Sequence, residues 1–455
     1  MIQTIRKAWG IPELRKKIIF TLLILLIFRI GNTITVPYID VPALKLQLDT
    51  MGSTYFGLLN AISGGAFSMA TVFALSIQPY INSSIIIQLL TVAIPALERL
   101  AKDGGEEGRK KIQSITRYTT VAIAILQALG YYMMIKRYGL LADGAEGIWP
   151  ALVIIVTLIA GSSFVMWMGE QVTEFGVGNG ISIILFAGIL SRVPSMVSTL
   201  IDGVKTWSAV NNGTLSLSTL TEAGYTEDYA QQILDSAMAP WAVALLVIGM
   251  LALIVFIVFI NDAERRIPVQ YAKRVVGNKM YGGQNTHIPI KVNMSGVMPI
   301  IFASSILMLP TMILSFWKNE NHWFYKVLRL FSVQGVFYAV IYFVLIIGFA
   351  YFYATIQFNP IEMANNLRKN GGAIPGIRPG KSTSDFISKI LSRITLMGAI
   401  FLSVIAILPI LIGSVGGINI SLGGTSVLIM VGVALDTVRN LESQMMMRHY
   451  KGFLD

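Results

Sequence analysis

The chain has 455 residues, 54% of them hydrophobic and 13% charged, with a formal net charge of +11 and no cysteine. Soluble domains carry roughly 25% charged residues, so most of this surface meets something other than water. The missing cysteine excludes a disulfide scaffold, a thiol nucleophile and a thiolate metal site. His287, His322 and His449 all lie outside the apolar runs, which excludes a histidine metal site within a membrane.

A helix that crosses a bilayer needs about 20 mostly apolar residues. Residues 1–17 are basic, and the long apolar run after them has no small-residue cleavage site, so it is predicted as a permanent first span. Spans are predicted at 18–36, 76–95, 115–135, 150–168, 180–200, 240–260, 294–315, 334–357, 393–412 and 424–441. That makes ten, and an even count puts both termini on one side. Cations cluster in the N-terminal tail (Arg6, Lys7, Arg15, Lys16, Lys17) and after the second, sixth and eighth spans, all on that same side. The positive-inside rule makes it the cytoplasmic side. The surplus of cations either anchors these loops or attracts an acidic or nucleic-acid partner. Arg29 inside the first span is either a structural or snorkelling side chain or part of a pathway.

Residues 56–97 do not fit a simple span. Asn60, Ser63, Gly64 and Gly65 fall in a stretch too polar and glycine-rich for a lipid-facing helix. Irregular backbone at membrane depth is tolerated only inside protein or beside a wet cavity. The segment is therefore either a re-entrant helix in a pore or an irregular loop packed on the bundle. Pro79 is expected in the first turn of the following helix. Between the fourth and fifth spans, 169–179 is short enough to force a tight hairpin, and Gly176-Val177-Gly178-Asn179-Gly180 is a capping turn rather than a nucleotide loop, since it follows no strand. The 201–239 loop is acidic.

Residues 261–293 alternate apolar and polar around Gly277-Asn278-Lys279, with Val269–Lys273 and His287–Val292 as hairpin strands. Residues 358–391 contain Pro375-Gly376-Ile377-Arg378-Pro379-Gly380, a proline- and glycine-dense turn that projects Arg378. Either loop is a docking element or an ordinary solvated loop. Met445-Met446-Met447 is membrane-edge packing. No HExxH, nucleophile elbow or P-loop occurs, which argues against a metalloprotease, a serine hydrolase or an ATPase. No catalytic residue, metal or cofactor is implied. Ionisable groups are nearly absent from the spans, which disfavours an ion-coupled transporter. From the residues alone the chain is a passive conduit or scaffold driven by a partner, with a secondary transporter as the competing possibility.

Eight strings, among them Ser63-Gly64-Gly65-Ala66, Gln78-Pro79-Tyr80-Ile81, Trp167-Met168-Gly169-Glu170-Gln171, Pro375–Gly380 and Gly423-Gly424-Thr425-Ser426, occur in one order across nearly the whole chain. In these the sequence resembles the SecY family, the SecY/Sec61-alpha channel subunits of the Sec translocase. The resemblance implies an all-α polytopic fold: ten transmembrane helices in two pseudo-symmetric, mutually inverted five-helix halves, with a re-entrant plug helix. The N-terminal half is then 1–200 with the plug at about 58–71, followed by a linking loop 201–239, a C-terminal half 240–442 and a cytoplasmic tail 443–455. It also implies a protein-conducting channel, not an enzyme, in the bacterial cytoplasmic membrane with cytoplasmic termini. Unfolded preproteins bearing signal sequences would cross it, and membrane segments would leave sideways into the lipid bilayer.

The implied sites are carried by position. The pore ring is Ile77, Ile81, Leu185, Ile189, Ile301 and Ile429, with Leu185 departing from the expected isoleucine. The plug includes Asn60, Ser63, Gly64, Gly65 and Phe67. The lateral gate takes Ser83, Ser84, Gln88 and Thr91 from the second span, Gln127 from the third and Ser304 and Ser305 from the seventh. Arg265, Arg266, Lys279 and Arg378 are docking cations for the SecA ATPase and for the RNA of the ribosome, although Asn278 replaces one of two cations usual at the hairpin tip. SecE and SecG are the expected membrane partners.

Overall fold

With no water in a bilayer core, a chain must pair its backbone polar groups internally, and a helix does this within one segment. Each of the ten apolar stretches is accordingly helical. The structure is a computed structural model that describes residues 2–50, 60, 63–102, 104–142, 144–145, 147–222, 231, 234, 237–271, 274–276, 279–281, 285–316, 323–329, 336–416 and 424–451. Its helices begin with α1 (Ile2–Trp9), α2 (Pro12–Gly31), α3 (Val41–Thr50), α4 (Gln78–Ala93), α5 (Pro95–Lys102), α6 (Gly105–Arg137), α7 (Ile148–Phe175), α8 (Gly180–Leu190) and α9 (Val193–Asn211). They continue with α10 (Leu217–Glu222), α11 (Pro240–Asp262), α12 (Met298–Phe316), α13 (Trp323–Arg329), α14 (Val336–Gln357), α15 (Pro360–Lys369), α16 (Lys381–Gly416) and α17 (Gly424–Lys451).

Length and hydropathy alone qualify six stretches among the described residues as membrane-crossing, or seven if the bent pair α4–α5 is one span. This is fewer than the ten predicted. The predicted spans that fall outside this test are those of α2, whose 20 residues include Glu13, Arg15, Lys16, Lys17 and Arg29, and of α12 and α17. The chain is a multi-pass membrane protein. Between α4 and α5 the axis bends by 106°, because Pro95 has no N–H to continue the ladder and holds Ile94 in an extended conformation.

Several boundaries differ from expectation. The fifth predicted span breaks at Ser191-Arg192 and resumes as α9, which carries helix into the 201–239 segment. Helix α16 starts at Lys381, inside the predicted 358–391 loop, and α17 runs to Lys451, through most of the predicted tail. Residues 58, 59, 61 and 62 of the expected plug lie outside the described residues. From Ser63 the chain runs to Ile77 mainly as consecutive turns rather than as a helix.

The helices pack in two sets. In the first, α2 lies on α7 and α8, and α4, α6, α7 and α8 follow one another. In the second, α12, α14, α16 and α17 follow one another and α11 joins α17. The sets meet where α12 touches α4 and α6, and again where α17 touches α8 and α1. Close approach depends on glycine. A Cβ on Gly180 would lie 2.0 Å from the Gly169 carbonyl oxygen, so α7 and α8 come together backbone to backbone.

Among the described residues there are five strands: β1 (Glu264–Tyr271), β2 (Arg274–Val276), β3 (Lys279–Tyr281), β4 (Asn285–Lys291) and β5 (Gly372–Ala373). The expected hairpin is present as antiparallel β1 and β4, with Ile267 opposite Ile288 and Val269 opposite Thr286. Beyond it β2 and β3 pair antiparallel, with Val275 opposite Met280. The other edge of β1 takes β5, so the loops 261–293 and 358–391 share one sheet in the order β4-β1-β5. Ile267, Val269 and Ile290 pack with Leu367 of α15, Ile374, and Ile387, Leu391 and Ile394 of α16 as a separate apolar core. The two loops are one polar module with its own interior.

Candidate pore, seal and polar module

Isoleucines and leucines one helical turn apart share a helix face. Ile77 and Ile81 form such a pair at the start of α4, and Leu185 and Ile189 form another on α8. Ile301 on α12 and Ile429 on α17 come from the second helix set. All six are buried, none more than 8% exposed, and all belong to one continuous apolar cluster drawn from both sets. The structure thus places the six predicted ring residues in one apolar core, among many other buried side chains. A narrow collar of such side chains excludes water and blocks ions by dewetting.

The Asn60–Ile77 segment lies inside the bundle as far as it is described. Asn60 folds it: its carbonyl accepts the Gly65 N–H at 2.9 Å and the Ser63 hydroxyl at 3.2 Å, and its Oδ1 accepts the Ser68 N–H at 3.0 Å. The Ser63 hydroxyl in turn accepts the Phe67 N–H at 3.1 Å. Gly64 and Gly65 have φ of +71° and +91°, a region that side chains disfavour. The five predicted plug residues therefore act as one tight turn system.

Further contacts hold this segment. The Val36 N–H donates to the Ala70 carbonyl at 2.8 Å, and the Val72 N–H to that of Ile34 at 2.9 Å. On α6, Tyr131 donates its hydroxyl to the Phe67 carbonyl at 2.8 Å and meets the Phe67 ring edge-on at 4.7 Å. On the far side Gly64 sits against Gly188 of α8, and the Ser191 hydroxyl lies 3.3 Å from the Gly64 carbonyl oxygen. Tyr131, Gly188 and Ser191 were not singled out from sequence. One signal was available: a tyrosine hydroxyl inside an apolar span needs a partner.

The predicted gate residues fall on the helices that meet between the two sets. Ser83 donates to the Thr116 carbonyl of α6 at 2.8 Å and is fully buried. Ser84, Gln88 and Thr91 hydrogen-bond within α4, and Ser304 donates to the Ile301 carbonyl of its own helix. The Ser305 hydroxyl is buried without a partner, and Gln127 is half-buried on α6. Among the described contacts Ser83 carries the interhelical bonding expected of these side chains, while Thr91 and Ser304 return to the backbone of their own helices. On α6, Arg117 holds Glu170 of α7 through two contacts, Nη2–Oε2 at 2.8 Å and Nε–Oε1 at 3.0 Å, the fork geometry that suits a carboxylate.

On the polar module, Arg265 and Arg266 are exposed on β1, and Arg266 pairs with Glu264 at 2.7 Å. Lys279 lies on β3, with its side chain outside the described set. Arg378 is exposed, while its neighbour Ile377 packs on the module's apolar core. The turn is held by Gly376 and Gly380 at φ +80° and +104° and by the Thr383 hydroxyl, which donates to the Arg378 carbonyl at 2.9 Å. Burial, with Arg439 alongside, holds the Lys291 ammonium below the usual lysine range, against the pull of Asp436, Asp262 and Glu264.

The SecY family model matches residues 71–438. The chain belongs to the SecY family. It is 43% identical to the SecY protein translocase subunit of Bacillus subtilis, 41% to that of Streptomyces coelicolor and 40% to that of Aquifex aeolicus, each over the whole of both chains. Among solved structures, a protein-conducting channel superposes with a TM-score of 0.60 at 17% identity, over 95% of this chain and 93% of the other. A channel studied for the role of the SecY plug domain in the closed state gives 0.61 at 18% identity, over 95% and 92%. Sec61 in a canine ribosome-channel complex gives 0.57 at 16% identity, over 95% and 93%. The SecY fold thus extends to distant channels that share few residues with this chain.

Proposed function

We propose that the chain is the protein-conducting channel of the bacterial cytoplasmic membrane, passing unfolded polypeptides through the waist formed by Ile77, Ile81, Leu185, Ile189, Ile301 and Ile429. The observation that supports this reading is the burial of all six in one apolar cluster drawn from both helix sets, which also takes in Phe73 of the Ser63–Ile77 turns. An apolar waist seals against small ions by dewetting yet offers a passing chain no hydrogen bonds to hold it. The turns from Asn60 onward act as the removable plug. The boundary of α12 with α4 and α6 is the seam through which an apolar signal helix or membrane segment leaves.

The polar module faces the cytoplasm together with both termini. Arg265, Arg266, Lys279 and Arg378 dock a ribosome or the SecA ATPase, and contacts to RNA phosphate are strongly salt-dependent. SecE and SecG pack on the lipid-facing helices. The test is reconstitution with SecE, SecG and SecA in vesicles. A preprotein becomes protected from external protease when ATP is supplied. Protection no greater than in vesicles without the chain refutes the proposal.

A further inference from the structure

Two buried polar atoms where the polar module meets the membrane bundle have no partner among the described residues. Asn293 lies in the link from β4 to α12, and Thr395 lies on α16, next to the last of its residues in the module core. The two residues are 7% and 6% exposed. Asn293 Nδ2 donates to Asn261 Oδ1 at 2.7 Å, which leaves Asn293 Oδ1 unmatched. The Thr395 hydroxyl is equally unmatched. Buried polar atoms are rarely left in this state, because each forfeits its hydration without recovering a bond.

Both residues line the same small cavity, with Ser295 and Gly398 also on its wall. About 10 Å³ of it is open to the centre of a water-sized sphere. One water needs roughly 10–15 Å³ by that measure, and at least two polar partners. Gly398 lets the link lie directly on α16, since a Cβ there would come within 2.4 Å of the Val292 carbonyl oxygen.

We propose that one buried water molecule occupies this cavity, donating to Asn293 Oδ1 and accepting from the Thr395 hydroxyl. The Arg439 guanidinium already donates to the Asn261 carbonyl at 2.9 Å. With the water in place, one hydrogen-bonded run joins α17, the end of α11, the β4–α12 link and α16. The module and the bundle are thereby fastened by a solvent molecule where no side chain reaches across. This inference rests on burial and hydrogen bonding and does not depend on the transport role.

The experiment uses the purified full chain and two readouts. In a map that resolves other buried waters, density stands within hydrogen-bond distance of both Asn293 Oδ1 and Thr395 Oγ1. Its absence overturns the proposal, as does density whose height follows the monovalent salt used. Native-state proteolysis of the 261–293 loop is then compared in variants. Thr395→Val speeds cleavage roughly fivefold, whereas Thr395→Ser, which keeps the hydroxyl, stays near the parent. Asn293→Ala combined with Thr395→Val is cleaved no faster than Asn293→Ala alone, because either change already removes the bridge. Equal rates for Thr395→Val and the parent, or a double variant whose increase is the product of the single ones, overturn it.

Discussion

Replacing Gly64 by alanine tests the plug seat with a built-in control. A Cβ at Gly64 would lie 2.6 Å from the Gly188 carbonyl oxygen and 2.7 Å from Ser191 Oγ. The serine hydroxyl can rotate away, but the α8 backbone cannot, so the segment must rise from its seat. Overpacking of this kind costs about 1–3 kcal/mol. That cost is felt only when the plug is seated. At one factor of ten per 1.4 kcal/mol, the ratio of displaced to seated plug rises roughly 5- to 150-fold. The neighbouring Gly65 has φ of +91° with nothing within 4 Å of its Cβ position. Gly65→Ala therefore carries backbone strain that the segment bears seated or displaced. Resting ion conductance is measured in planar bilayers without substrate. Gly64→Ala is expected to leak well above Gly65→Ala. Equal conductance in the two variants refutes the seat as described.

Replacing both Ile81 and Ile189 with glycine opens the waist to water and raises resting conductance, because dewetting requires a narrow apolar collar. Unchanged conductance places these side chains away from the constriction. Tyr131→Phe keeps the ring contact with Phe67 but removes one of two hydrogen bonds to the Phe67 carbonyl, which retains the Ala70 N–H at 3.3 Å; the loss is about 1 kcal/mol, and the variant is expected to leak less than Gly64→Ala but more than the parent. Arg378→Glu removes an exposed cation, so the thermal midpoint stays near the parent while binding to ribosomes weakens and loses part of its salt dependence. Binding equal to the parent at every salt concentration removes Arg378 from the docking surface.

Each stretch that hydropathy marked contains helix, because hydropathy senses the part of a helix that meets lipid, although only six or seven of these qualify as spans among the described residues. It placed their ends poorly, since helices α16 and α17 continue beyond the predicted spans through charged residues such as Lys381, Lys389 and Glu442. The break at Ser191-Arg192 was equally silent, yet it positions the hydroxyl that meets Gly64. Period-two alternation revealed strands β1 and β4. The pairing of β1 with Gly372-Ala373 could not be seen, because two residues have no period and their partner lies about 100 positions earlier in the chain. The waist itself is invisible to composition. Ile189 is 1% exposed and the adjacent Leu190 is 46% exposed, although both are equally apolar. Naming the ring took the resemblance to the SecY family, and the side chains that grip the plug from α6 and α8 required coordinates.

The measurement closest to the central claim places a photo-crosslinker at Ile81, Ile189, Ile301 and Ile429 in turn, against a secretory chain stalled during transit. Leu251, 58% exposed on α11, is the lipid-side reference. Crosslinks to the stalled chain at the four waist positions and none at Leu251 are expected. A secretory chain that reaches Leu251 as readily as Ile81, or that touches none of the four, contradicts passage through the waist.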